Sequence, residues 1–233
     1  MTKSPIIIAL DVETAAGARE LMATLGDAVD FYKVGMELYA GAGLDLVREL
    51  TGMGKKVFLD MKFYDIGETV RRAVAQVARL GVHFLTVHGS KAVMEAAVQG
   101  RGAAELKLLA VTVLTSFDET DLVELGYPCS VSDLVSLRVR NAMAAGIDGL
   151  VCSPLEVAAV RATAGPRAIL VTPGVRSAGA DTGDQKRVAT PAAALRNGAD
   201  YLVIGRQVTC SRDPRAEVEK IFGEIGARQT AGV

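Results

Sequence analysis

The sequence predicts an α/β fold, a closed (β/α)8 TIM barrel, and three observations carry that prediction. Eight short apolar runs alternate with eight stretches of helical pattern, which implies parallel β/α units. The runs are rich in Val, Ile and Leu without strict alternation, as expected of strands covered on the other face by helices. The chain has 233 residues, half of them hydrophobic, which suits one large domain with a sizeable core. Residues 1–233 are therefore read as a single barrel domain. A doubly wound open sheet is the alternative. Against it, Leu10-Asp11-Val12-Glu13 stands after the first strand, where a dinucleotide fold would carry G-x-G-x-x-G.

In chain order, the strand candidates are 6–12, 31–35, 56–61, 84–88, 108–114, 149–153, 168–173 and 201–205. Val57-Phe58-Leu59 illustrates the reasoning, since β-branched and aromatic side chains favour strands. The alanine- and leucine-rich stretches between them place helices over 14–25, 37–51, 68–80, 92–99, 132–145, 155–163, 191–197 and 214–225. Gly26, Gly52, Gly81, Gly146 and Gly198 read as helix stops. Ser132 with Asp133, and Pro191, read as starts.

Composition narrows the function classes. A net charge of -1 gives no electrostatic basis for binding nucleic acid or an anionic membrane. Cys129, Cys152 and Cys210 are odd in number and lack CxxC spacing, which argues against a disulfide framework or structural zinc and fits a reducing cytosol. The apolar stretch Ile6-Ile7-Ile8-Ala9-Leu10 is too short for a signal sequence, and no segment reaches membrane-span length. A cytoplasmic protein is expected.

Catalytic groups of a (β/α)8 enzyme gather at the C-terminal ends of its strands. Those ends carry Asp11, then Lys33, then Asp60 with Lys62, then His88, then Thr115 with Ser116, then Ser153. The seventh carries Thr172-Pro173-Gly174-Val175-Arg176 and the eighth Gly205-Arg206. Asp60 and Lys62, two apart on a strand, are expected to face one side with Cα atoms roughly 7 Å apart. Alone they could be a structural ion pair. Polar groups at every end point instead to one concave site.

The last two ends suggest phosphate, which barrel enzymes bind beside the loops after strands seven and eight. Gly205 allows close backbone approach, and Arg206 offers a planar fork of donors to phosphate oxygens. The polar loop over 177–185 is long for its class and reads either as a lid over substrate or as a surface loop. No metal set stands out. His83 and His88 lack ligand spacing, and Lys33 and Lys62 would repel a cation placed among Asp11, Asp60 and Asp65.

Asp60-x-Lys62-x-x-Asp65-Ile66 resembles the signature of the orotidine 5'-phosphate decarboxylase family, bacterial type. Ile8-Ala9-Leu10-Asp11, Lys33-Val34-Gly35-Met36-Glu37, Val113-Leu114-Thr115-Ser116, Thr172-Pro173-Gly174-Val175-Arg176 and Ile204-Gly205-Arg206 resemble that family too, in order along nearly the whole chain. The resemblance implies a (β/α)8 homodimer that converts orotidine monophosphate to uridine monophosphate and CO₂, in de novo pyrimidine synthesis, without cofactor. It implies that Lys62 protonates C6 of the pyrimidine and that Asp60 lies beside the departing carboxylate. Lys33 and Asp11 would hold the ribose hydroxyls and order the charges. Asp65 would enter the partner's active site, with Ile66 and Thr69 nearby. Thr115 would contact the pyrimidine, and Arg176, Gln185, Arg206 and the Gly205 backbone would hold the phosphate. Family members often carry His in place of Tyr64, Pro in place of Gly67, and a different run after His88 from Gly89-Ser90-Lys91. These departures concern loop geometry.

The implied chemistry agrees with the residue types. Losing CO₂ leaves a poorly stabilised carbanion at C6, and an adjacent ammonium can stabilise that charge and then donate a proton. Nearby carboxylates favour the charged form of the lysine. A metal-dependent sugar-phosphate decarboxylase or aldolase of the same barrel superfamily is the rival. Those relatives resemble a pattern with Glu at the second strand end, where this chain has Lys33.

Overall fold

The computed structural model describes residues 4–179 and 187–226. Eight parallel strands close into a barrel in sequential order: β1 (Ile6–Ala9), β2 (Phe31–Gly35), β3 (Lys56–Phe63), β4 (Phe84–His88), β5 (Lys107–Val111), β6 (Gly149–Val151), β7 (Ile169–Thr172) and β8 (Tyr201–Ile204). Around it run α1 (Ala15–Leu25), α2 (Met36–Gly52), α3 (Gly67–Val77), α4 (Lys91–Arg101), α5 (Glu119–Glu124), α6 (Val131–Ala145), α7 (Val157–Ala164), α8 (Pro191–Arg196), α9 (Arg206–Thr209) and α10 (Pro214–Glu224). The closed barrel replaces the open-sheet alternative, since β1 pairs with both β2 and β8.

Several boundaries differ from the sequence reading. β1, β5, β6 and β7 end earlier than their apolar runs. Leu10 and Val113 lie past the ladders yet are buried, so hydrophobicity outlasts the pairing at the top of the barrel. β3 runs two residues further than expected, to Phe63, across a register shift. α6 starts before Ser132 because Ser130 is its cap, accepting a hydrogen bond from Asp133 N at 3.1 Å. Gly146 ends that helix in the left-handed region, φ 83°. The short α5 and α9 were not anticipated, although Asp118 and Asp121 form a full capping box for α5.

Strand alternation explains where the site lies. Ile7, Phe31, Phe58, Phe84, Leu109, Val171 and Tyr201 point into the barrel, while their neighbours join the larger core beneath the helices. The rings of Phe31, Phe84 and Tyr201 meet with centroids 5.2–5.6 Å apart, and Phe58 reaches Phe84 at 5.9 Å. Such contacts are worth about 0.5–1.5 kcal/mol each beyond burial. They fill the interior as a floor. Two residues further along β2 and β3 the same inward parity reaches Lys33 and Asp60, so polar groups stand directly above an aromatic layer. At the opposite end of the barrel, Asp148 accepts a hydrogen bond from Leu108 N at 2.9 Å, and Asp200 accepts one from Leu170 N at 2.7 Å. Arg101 and Arg161 pair with these carboxylates, so those two ion pairs secure the barrel away from the site.

Candidate active site

The inward ends of β1, β2 and β3 build a chain of alternating charges. Lys33 Nζ lies 2.8 Å from Asp11 Oδ1 and 3.9 Å from Asp60 Oδ2. Lys62 Nζ lies 2.9 Å from Asp60 Oδ1. Lys33 is buried, at 8% exposure, a placement rare for lysine unless it is paired. Its room comes from Gly35: a Cβ there would stand 2.8 Å from Lys33 Nζ and 3.5 Å from Asp11 Oδ1. Each carboxylate offers up to four acceptor sites and each ammonium three donors, so the group has bonding capacity left for a polar ligand.

Lys62 does not reach Asp60 by a simple pleat. It has φ 48°, the one non-glycine positive φ among the described residues. The β3–β4 register runs Leu59↔Leu85 and then Phe63↔Val87, so Asp60, Met61 and Lys62 lie opposite Thr86 alone. Asp60 and Lys62 do converge, but through this bulge rather than through regular alternation. Thr86, fully buried on β4, accepts a hydrogen bond from Lys62 N and donates one to Asp60 Oδ1, both at 2.9 Å. Sequence reasoning missed Thr86. The available signal was its inward parity between Phe84 and His88.

A cavity of about 400 Å³ is lined by Asp11, Lys33, Glu37, Arg176, Gly205 and Arg206, among others. Glu37 was also missed as a lining residue. Arg176 and Arg206, lining it together with Lys33 and Asp11, suit an anionic ligand that also carries hydroxyl groups. The two arginine-bearing segments are joined below: Gln207 Nε2 donates to Ser177 Oγ at 2.6 Å and to Glu217 Oε1 at 2.8 Å, and Ser177 N donates to Gln207 Oε1 at 3.0 Å. Gln185 and residues 180–186 of the long loop lie outside the described residues. The base of that loop is closed by Arg176 N donating to Ala189 O at 3.0 Å.

The other predicted positions divide. Thr115 is buried in the loop after β5. Just beyond the undescribed segment, Arg187 pairs with Glu156 and donates to Leu114 O at 2.8 Å, binding the tops of three successive units together. Burial pushes the Glu156 carboxyl above its ordinary range, with Arg187 pulling the other way. Ser153 is buried in the turn after β6, where it accepts from Leu155 N at 3.3 Å. His88 stacks on Tyr64 at 4.3 Å, and burial followed by Arg138 holds its imidazole below the ordinary 6.5, favouring the neutral ring. Asp65 is not part of the charged chain: its Oδ1 accepts from Ile66 N at 2.6 Å and the residue is exposed. Ile66 and Tyr64 beside it are 77% and 66% exposed, and Met36 is 59% exposed, so large apolar groups face outward next to the site. Thr69 is exposed on α3. Among the described residues no group of three His, Cys, Asp or Glu is placed to hold a metal ion.

Known proteins share both the sequence and the fold. A family model described as "Orotidine 5'-phosphate decarboxylase / HUMPS family" matches residues 4–221. A Rhodopseudomonas palustris (strain BisA53) protein named orotidine 5'-phosphate decarboxylase is 53% identical over 220 residues, 94% of each chain. A protein of the same name from Methylobacterium nodulans is 52% identical over 232 residues, covering 97% of this chain and 98% of its own. The crystal structure of orotidine 5'-phosphate decarboxylase from Lactobacillus acidophilus superimposes with TM-score 0.83 at 36% identity, over 97% of this chain and all of that one. An uncharacterized conserved protein from Geobacillus kaustophilus gives TM-score 0.82 at 33% identity.

Proposed function

The chain belongs to the orotidine 5'-phosphate decarboxylase / HUMPS family, and we propose that it is an orotidine 5'-phosphate decarboxylase. It converts orotidine monophosphate to uridine monophosphate and CO₂ in the de novo pathway to UMP. The observation that carries this reading is the chain Asp11–Lys33–Asp60–Lys62, whose Asp11 and Lys33 line one cavity together with Arg176 and Arg206.

The roles follow from charge and reach. Arg176, Arg206, the Gly205 backbone and Gln185 hold the phosphate. Asp11 and Lys33 take the ribose hydroxyls, and Thr115 meets the pyrimidine. The bond from C6 to the carboxylate breaks, its electron pair stays on C6, and CO₂ departs past Asp60. Lys62 Nζ stabilises the developing charge and transfers a proton to C6. The neutral amine regains its proton from water. Phosphate binding remote from C6 supplies interaction energy that serves the chemical step. No metal or cofactor takes part in this scheme.

Asp65 serves the second subunit of a homodimer. Supporting this are its separation from this chain's own lysine network and the exposed Tyr64 and Ile66 on either side of it. The whole chain, 1–233, acts as one catalytic barrel domain. Among the described residues no helix is long and apolar enough to cross a membrane. With free Cys129, Cys152 and Cys210, we place the enzyme in the cytoplasm.

The test is direct. Purified protein mixed with orotidine monophosphate should lose substrate ultraviolet absorbance at the same rate with and without EDTA. Lys62→Ala should lower kcat by about 10³-fold or more with the fold intact. Near-native turnover by that variant removes Lys62 as proton donor. EDTA-sensitive turnover favours the metal-dependent rival. Mixing Lys62→Ala with Asp65→Ala should restore activity, because one site of each mixed dimer regains both residues. No recovery excludes the shared site.

A further inference from the structure

We infer that Thr86 is a positioning residue that sets the geometry of Lys62 and Asp60 together. This rests on the reading of Lys62 as the proton donor. Thr86 lies in mid-strand β4 between the apolar Leu85 and Val87, fully buried, and its side chain points into the barrel. A buried hydroxyl is unfavourable unless it is hydrogen-bonded. Both of its bonds go to β3: it accepts from Lys62 N and donates to Asp60 Oδ1, each at 2.9 Å.

The bulge explains why a side chain is needed there. Three residues of β3, Asp60 to Lys62, lie opposite one residue of β4, so the regular ladder is interrupted. The threonine oxygen takes the place of a backbone partner for Lys62 N. That bond holds a residue at φ 48°, a region unfavourable for any side chain with a Cβ. The ladder resumes at Phe63↔Val87, so the strained residue is fixed from both sides.

The second bond fixes the carboxylate. Asp60 Oδ1 receives both Thr86 Oγ1 and Lys62 Nζ at 2.9 Å, while Oδ2 faces Lys33 Nζ at 3.9 Å. A turn of the carboxylate away from Thr86 would move both ammonium contacts. One hydroxyl thus sets the backbone from which the acid springs and the rotation of its partner. Thr86 lies beneath this network, where it acts through Lys62 and Asp60.

The test compares Thr86→Val, which keeps the shape without the hydroxyl, with Thr86→Ser, which keeps the hydroxyl. Thr86→Val should lower kcat about 10- to 100-fold per folded molecule, as small misplacements of reacting groups do. Its affinity for uridine monophosphate should stay within about twofold, since the phosphate end lies across the barrel. Thr86→Ser should recover most of kcat. Placed on Lys62→Ala, the valine substitution should add little further loss. Thr86→Ala takes the place of Thr86→Val if the valine chain does not fold. A kcat within about twofold of the parent, a loss that serine does not restore, or a loss confined to KM overturns the inference. An active Lys62→Ala variant instead removes the proton-donor reading on which it rests.

Discussion

Replacing Arg187 by Met should destabilise the barrel well beyond an ordinary surface change. Glu156 and Arg187 form an ion pair with side chains only 15% and 14% exposed. Removing one partner of such a pair costs about 3–5 kcal/mol, because the remaining charge stays buried without compensation. One feature favours the low end: burial already raises the Glu156 carboxyl pKa against the pull of Arg187, so without Arg187 the carboxyl takes up a proton more readily and sheds part of the cost of its buried charge. A loss of about 3 kcal/mol follows, or about 6–12 °C in Tm for a domain of this size. Scanning calorimetry near neutral pH measures it. The double variant Glu156→Leu with Arg187→Met should recover much of the loss, since an apolar pair of similar volume avoids burying any charge. A raised folded-state pKa means the folded chain keeps a proton that the unfolded chain has released. The group's contribution is therefore largest below the ordinary 4.5 and declines as pH rises through the folded value, a slope that Glu156→Gln should lack. A Tm change under about 2 °C, or single-variant losses that simply add in the double variant, refutes the reasoning.

Gly35→Ala should fold normally, because the displaced atom is the mobile end of Lys33. It should lose about 10- to 100-fold in kcat/KM as Lys33 leaves Asp11, which melting curves with steady-state kinetics would check. Gln207→Ala, by freeing Ser177 from the segment that carries Arg206, should raise KM for orotidine monophosphate about tenfold. Turnover of the nucleoside lacking phosphate should be unchanged, and an equal loss on both substrates would refute this role. His88, held neutral by burial and Arg138, takes up its proton at lower pH in the folded chain than in the unfolded one. Stability should therefore fall as pH drops below 6.5, and urea midpoints should lose that part of their pH dependence in His88→Gln.

The legible and illegible parts of this molecule separate by distance along the chain. The order of the eight strands and the longer helices could be read because each announces itself locally, through an apolar run, a glycine stop or a cap. Asp11, Lys33, Asp60 and Lys62 were visible for the same reason, since a charge ending an apolar strand is conspicuous in any window of sequence. Thr86 was not, because a lone threonine in a strand is an ordinary β-former. The pairs Ser177–Gln207 and Glu156–Arg187 join residues about thirty positions apart, which no spacing rule connects.

Residue pattern alone sufficed for the order of parallel β/α units and for the chemical character of their strand ends, because strand parity and apolar periodicity are local properties. Contacts between atoms depended on closure of the eight strands. Closure placed three residues of β3 against one of β4, turned Lys62 into the left-handed region, and brought Lys62 Nζ to 2.9 Å from Asp60 Oδ1. No residue type at position 62 signals that backbone. It persists because the ladder on either side and a buried hydroxyl from the next strand hold it, and those forces exist only when the strands are packed together.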